Sequence, residues 1–299
     1  VSRPVLITGG TGQVGLELAR LNWPADVEPH FPDRVAFDLG SKASVACLAN
    51  RDWAAVINCA AYTAVDKAES EVGAAFLANA QGPAWLAEAT ARAGIPLIHV
   101  STDYVFSGDG EGFYEPGDPV DPPGVYGASK LAGELAVRTG NPRSVVLRTA
   151  WVLSAHRGNF LKTMLRIGAA GGPLRVVADQ TGCPTSAADI ARALQAITLA
   201  HLKDRGAPTG IYHFVNAGEA SWCDLAREIF ALSGAAGGPS ADVTAITTAD
   251  YPTIARRPAN SRLCTASLTR DFGMTPRPWR DAVAEIVAEL VGPIAQEKK

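Results

Sequence analysis

Val5-Leu6-Ile7-Thr8-Gly9-Gly10-Thr11-Gly12-Gln13-Val14-Gly15 holds two periodicities in one short stretch. Val5 to Thr8 is an apolar run of the kind that fills a strand buried on both faces, and residues 13 to about 21 read as the helix that follows. Between them Gly9, Gly12 and Gly15 recur at every third position. Glycine allows a tight turn there and lets backbone N–H groups approach a pyrophosphate. The helix N-terminus adds partial positive charge, and the last glycine lets helix and strand pack closely. In a chain with 29 glycines the pattern alone is weak, an ordinary glycine-rich turn being the plain alternative. Its place between a strand and a helix gives it weight.

Outward from that turn, short apolar runs alternate with helical patterns, the mark of a parallel sheet wrapped by helices. Further strands are predicted somewhere in residues 27–37, broken by Pro29 and Pro32, and at residues 55–59, 96–100 and 144–148. One helix is predicted over residues 65–93 and another over 126–138. After Trp151 the rhythm loosens. Helical patterns appear at 160–168, 187–202, 222–232 and 280–290, with strand-like runs at 174–178 and 211–215 among glycine and proline punctuation. The predicted fold is α/β, a Rossmann-type doubly wound parallel sheet with a smaller, irregular α/β substrate lobe. Residues 1–150 are expected to form the dinucleotide-binding domain and 151–296 mainly the lobe, with segments near 186–216 returning to the first domain.

Composition narrows the function classes. Of 299 residues 47% are apolar and 19% charged, and the net charge is −3. Nucleic-acid binding would call for a clustered basic surplus, which is absent; Lys298-Lys299 reads as a solvated tail. No stretch approaches the roughly 20 apolar residues that span a bilayer, and Val1-Ser2-Arg3-Pro4 runs into a strand pattern rather than a signal peptide. The five cysteines, Cys47, Cys59, Cys183, Cys223 and Cys264, are odd in number and lack paired ligand spacing. They read as reduced, mostly buried thiols of a cytoplasmic protein.

The choice between NADPH and NADH stays open in these residues. An acid just past strand two would bind ribose hydroxyls and an arginine would favour a 2′-phosphate, and Asp33-Arg34 offers both. Asp38 and Leu39 are better placed for an adenine ring.

Tyr126-Gly127-Ala128-Ser129-Lys130 puts a phenol and an ammonium on one helical face. A nearby lysine is expected to lower a phenol's pKa from about 10 and make it a usable proton donor to a carbonyl under reduction. The spacing alone is suggestive; a surface pair is the plain alternative. Ser101-Thr102-Asp103-Tyr104-Val105-Phe106 then falls at the C-terminal end of the fourth strand, where doubly wound sheets bind ligands. A hydroxyl of Thr102 or Ser101 can there hydrogen-bond a substrate carbonyl, or simply cap the strand.

Together these features resemble the extended short-chain dehydrogenase/reductase family, and within it the reductases of nucleotide-linked keto sugars. The resemblance runs through residues 9–15, 58–69, 101–106, 125–134, 148–152, 158–164, 179–185 and 257–263, nearly the whole chain. It implies reduction of the C4 keto group of a dTDP-linked 4-keto-6-deoxysugar with NADPH or NADH. Thr102, Tyr126 and Lys130 would be catalytic, with Lys130 also holding the nicotinamide ribose. Cofactor contacts would come from Gly9, Thr11, Gly12, Gln13, Val14, Gly15, Asp38, Leu39, Ala60, Ala61 and Thr63, besides Tyr126 and Lys130. Asp103 and Tyr104 would lie near the sugar, and Trp151 would be a flat wall, the alternative being a core tryptophan. Arg257 and Arg262 are candidates for the diphosphate, since arginine offers bidentate donors, with ordinary salt bridges as the alternative; Asn159 would add a neutral contact.

Some relatives form dimers bridged by magnesium on glutamates. Glu17 and Glu289 stand at plausible positions, but Ala188 replaces the glutamate expected beside Pro184-Thr185. Hard cations want several oxygens, so no metal is expected, and the chain is expected to be a monomer or weak homodimer. Two alternatives remain: a 4-ketoreductase for another nucleotide-activated deoxysugar, or a non-catalytic NADP-binding regulatory subunit. A dehydratase is disfavoured because Asp103 is followed by Tyr104.

Overall fold

The computed structural model describes residues 2–297, with side-chain surroundings for 2–292; Val1 and the Lys298-Lys299 tail lie outside them. Six strands, β1 (Arg3–Thr8), β2 (Val27–His30), β3 (Ala55–Asn58), β4 (Leu97–Thr102), β5 (Ser144–Thr149) and β6 (Gly210–His213), form one sheet in the order β6-β5-β4-β3-β1-β2. Every pairing in it is parallel. The order reverses between β1 and β3, which opens a crevice at their C-terminal ends.

Side-chain alternation explains why these runs became central strands. Val5 and Ile7 of β1, Ala55 and Ile57 of β3, and Val145 and Leu147 of β5 face one core with Ile190, Leu194 and Ile197. Leu6, Val56, Leu97 and Val146 point the other way, against Leu86, Ala87 and Val137. Both faces are apolar because helices cover both, and each fully buried branched side chain contributes roughly 1.5–3 kcal/mol.

The helices that matter for the site are α1 (Gln13–Arg20), α2 (Gly82–Arg92), α3 (Val125–Gly140), α4 (Phe160–Ala170), α5 (Ala187–Lys203), α6 (Trp222–Ala235) and α7 (Trp279–Glu297). The single helix predicted over 65–93 is broken. A short turn at Val65–Ala68 is followed by Val72–Phe76, a π-helical segment Leu77–Gln81, and then α2. The break has a tertiary cause: Glu69 turns away to accept a hydrogen bond from Val125 N at 2.9 Å, capping α3, whose own N-cap Gly124 has no side chain to do it. Ala266–Phe272 is a helix with no counterpart in the sequence reading.

Beyond β5 a second core gathers Leu161 and Met164 of α4, Leu225, Ile229 and Phe230 of α6, and Trp279, Val283 and Val287 of α7. Its strands are short: Leu174–Val177 pairs with Val243–Ile246, and two-residue strands join Thr181–Gly182 to Ala220–Ser221 and Asn260–Ser261. Between these segments α5 packs on α1, and β6 adds to the main sheet beside β5. Among the described residues no helix is long and apolar enough to cross a membrane.

Candidate active site

The glycine turn closes as its residue types require. Gly9 has φ +70, and a Cβ on it would fall 2.6 Å from Ala60 N, so β1 and β3 deliver their loops edge to edge at the crevice. A Cβ on Gly15 would meet Gly9 O at 2.4 Å. Gly12 N donates to Gly9 O at 2.9 Å, and the first bond within α1 is Leu16 N to Gly12 O. The amides of Gln13, Val14 and Gly15 precede that bond and are free for an anion.

Beside this turn lies a cleft of about 520 Å³ lined by Gly9, Thr11, Gly12, Asp38, Leu39 and Ala60, among others. Ala61 lines it too, as do Arg34 and Tyr62, whereas Thr63 is exposed and is not on its wall. The donor set and the small side chains at the crevice fit a dinucleotide. Asp33 accepts from Val35 N and Ala36 N, which spends its carboxylate on a turn, and Arg34 reaches Asp38 at 3.5 Å.

Across the sheet edge, Thr102 ends β4 and donates to Asp103 Oδ1 at 2.9 Å. Tyr126, in the first turn of α3, lies near enough for the Thr102 hydroxyl to act on its phenol. Tyr104 stands edge-on to Tyr126, with ring centroids 5.4 Å apart. Gly127 makes this approach possible, since a Cβ there would lie 2.1 Å from Tyr104 O. One turn later Lys130 is buried and donates from Nζ to Val100 O at 2.7 Å.

The electrostatics depart from the sequence expectation at one point. The phenol of Tyr126 is raised above its ordinary pKa, not lowered. Burial is the main cause, the Thr102 hydrogen bond opposes it, and the Asp103 charge adds to it. Lys130 is turned to a backbone carbonyl and is itself pushed down to about 8 by burial, against the pull of Glu134 and Cys59. Asp103 is pushed up to about 6 by burial, with the Ser261 and Thr102 hydroxyls pulling the other way. The phenol is therefore protonated at neutral pH, and Lys130, turned to Val100 O, does not lower its pKa.

Other predicted residues are scattered in outcome. Arg257 lies at the site, 3.4 Å from Tyr104 OH, and its other Nη pairs with Asp66. Arg262 is taken up by Asn260 Oδ1 at 2.9 Å and Glu219 at 3.0 Å, over the face of Phe113. Asn159 is spent within the protein. Its Oδ1 caps α4 through Lys162 N, and its Nδ2 donates to Gln13 Oε1 and Ser154 O. Trp151, with φ 49, is held between Gly182 and Trp222, stacked on the latter at 3.6 Å between centroids. Of the thiols only Cys183 and Cys223 are buried, while Cys47 is exposed.

Glu17 and Glu289 both pair with Arg20, which lies 3.0 Å from Glu289 and 3.8 Å from Glu17. Among the described residues no cluster of three or more His, Cys, Asp or Glu has metal-binding geometry.

Three supports escaped the sequence reading. Asn79 takes Tyr62 N and donates to Tyr62 O and Ser129 Oγ, tying the loop after β3 to α3. Its signal was a poor helix former in an alanine-rich run. Arg148 and Glu134 form a buried bidentate pair at 2.9 and 2.7 Å that fixes α3 to β5. Arg157 donates to Thr11 O across the glycine turn.

Comparison with known proteins finds relatives over nearly the whole chain. The family described as RmlD substrate binding domain matches residues 3–291. A dTDP-4-dehydrorhamnose reductase of Sinorhizobium fredii is 45% identical over 288 residues, covering 95% of this chain and 97% of that protein. The crystal structure of a dTDP-4-dehydrorhamnose reductase from Clostridium acetobutylicum superposes with a TM-score of 0.89 at 36% identity, covering 96% of this chain and 99% of that one. That of the Bacillus anthracis enzyme, in complex with NADP, also gives 0.89, at 31% identity and 97% and 100% coverage.

Proposed function

The chain belongs to the RmlD substrate binding domain family, and from that membership we propose that it reduces the C4 keto group of dTDP-4-dehydro-L-rhamnose to give dTDP-L-rhamnose. The observation that carries the reading is that Thr102, ending β4, and Tyr126 and Lys130, one turn apart on α3, which packs on β4, are brought together beside the glycine-lined crevice.

NADPH or NADH, when bound, supplies the hydride. The amides of Gln13, Val14 and Gly15 would take its pyrophosphate, Ala60 and Ala61 would let its backbone come close, and Lys130 would hold the nicotinamide ribose. Thr102 orients the C4 carbonyl by a hydrogen bond that strengthens as negative charge develops on oxygen. Tyr126, kept protonated by its buried setting, gives its proton to that oxygen. Asp103 and Tyr104 face the sugar, and Arg257 offers a cation to the diphosphate once it exchanges Asp66 for phosphate oxygens. In this reading residues 1–150 mainly carry the cofactor and 151–296 mainly the nucleotide-sugar. The chain works as a monomer or weak homodimer in a reducing compartment, in keeping with its five free thiols.

The test is to supply the purified chain with the keto sugar and follow loss of nicotinamide absorbance with each cofactor in turn. Turnover is expected. Binding of NADPH with no turnover of this or any related keto sugar would overturn the catalytic reading in favour of a regulatory one.

A further inference from the structure

Four contacts tie the loop of residues 154–159, which enters α4, to the glycine turn and α1. Ser154 Oγ donates to Glu17 at 3.3 Å, His156 Nε2 lies 3.3 Å from Arg20, and Asn159 Nδ2 donates to Gln13 at 2.8 Å. The fourth is Arg157 Nε to Thr11 O at 2.7 Å. To make it, Arg157 takes φ 56, a backbone region that suits glycine and strains other residues, although Gly158 is the next residue along. A strained arginine kept beside a ligand loop points to a role for its side chain.

The bond to Thr11 uses Nε alone. Among the described residues neither Nη has a protein hydrogen bond, so the two donors best matched to phosphate oxygens remain available. The local charge balance gives them a purpose. Asp33, Asp38 and Glu71 line the cleft, and its arginine, Arg34, leans on Asp38. A pyrophosphate entering there meets carboxylates along the wall and needs a cation at the turn.

We propose that Arg157 is a cofactor-binding residue that reaches over from the loop ahead of α4 and clamps the pyrophosphate against residues 9–15. This rests on the nicotinamide-dependent reading above. The residue would couple the two cores, since ordering of its loop and binding at the glycine turn would favour each other.

The experiment is equilibrium titration of the whole chain with NADPH, ADP and adenosine at low and high salt. Arg157→Gly relieves the backbone strain, so its unliganded unfolding temperature is expected to match or exceed wild type. It should bind NADPH and ADP about tenfold more weakly at low ionic strength, with the deficit shrinking as salt screens the contact. Adenosine, which lacks the pyrophosphate, should bind unchanged, and Arg157→Lys should recover part of the loss. Wild-type affinity for ADP in Arg157→Gly would overturn the proposal, as would an equal loss for adenosine. A wild-type chain that binds neither NADPH nor NADH would instead overturn the functional reading itself.

Discussion

Tyr126 sits against Thr102 and Tyr104 with its phenol above its ordinary pKa, so the proton it carries is held firmly through neutral pH. Tyr126→Phe removes that proton and little else. Turnover is expected to fall about 10²–10⁴-fold while NADPH affinity stays within a factor of about two, checked by steady-state rates beside cofactor titration. Asp103 gives a second prediction. Its carboxyl holds a proton up to about pH 6 in the folded chain but only to about 4 when unfolded. Between those values the folded state binds the extra proton, so stability falls as pH rises and the full penalty stands above 6. Asp103→Asn should therefore stabilise the chain at about pH 7.5, by on the order of 3 kcal/mol at most, and gain nothing near pH 4. Urea melts at the two pH values decide it, and an equal gain at both would contradict the burial argument.

At the scale of elements, α3 is placed by what its neighbours allow. Gly127→Ala would put a methyl 2.1 Å from Tyr104 O, so the helix must withdraw from β4. Overpacking of this kind costs about 1–3 kcal/mol, and the shift of Tyr126 should cost roughly 10²-fold in kcat; unfolding temperature and kcat are to be measured together. The same helix is anchored by the buried Arg148–Glu134 pair. Arg148→Met strands a buried carboxylate and should cost about 3–5 kcal/mol, much of it recovered when Glu134→Leu is added. A double variant as unstable as the single one would show that the pair is not the cause.

Elements also mark how far the sequence could be read. The strands at 3–8, 55–58, 97–102 and 144–149 were legible because residues on both faces are apolar, a signal local to each run. The turn at Gly9–Gly15 and the Tyr126–Lys130 spacing were legible for the same reason: their geometry is written within one stretch. What was not legible depends on distant partners. The interruption near Glu69 comes from Val125, 56 residues on, and the alanine-rich composition around it argues for helix throughout. The two-residue strands of the second core are made by their pairings and have no pattern of their own. The left-handed backbone at Trp151 and Arg157 runs against residue type, and the capping role of Asn159 was not legible because a cap and a ligand contact ask for the same side chain.

Across the whole molecule, Arg20 ties α1 to α7 through Glu289 while also facing Glu17. The carboxylates that a bridging divalent ion would need already share a cation. Turnover is accordingly expected to survive prolonged EDTA treatment unchanged; loss of rate restored by magnesium would show that the arginine can be displaced.

The position of β6 has a consequence for synthesis of the chain. It is the last strand to join the sheet, about sixty residues after β5, whose six residues are all buried in the finished protein. On a ribosome adding roughly 5–20 residues per second, β5 would wait about 3–12 s with Val145, Val146 and Leu147 on a naked edge. Such an edge is a template for pairing with another nascent copy. The sheet is thus most vulnerable between two moments of translation, and conditions that slow elongation between residues 150 and 210 should lower the yield of folded chain without changing its final stability.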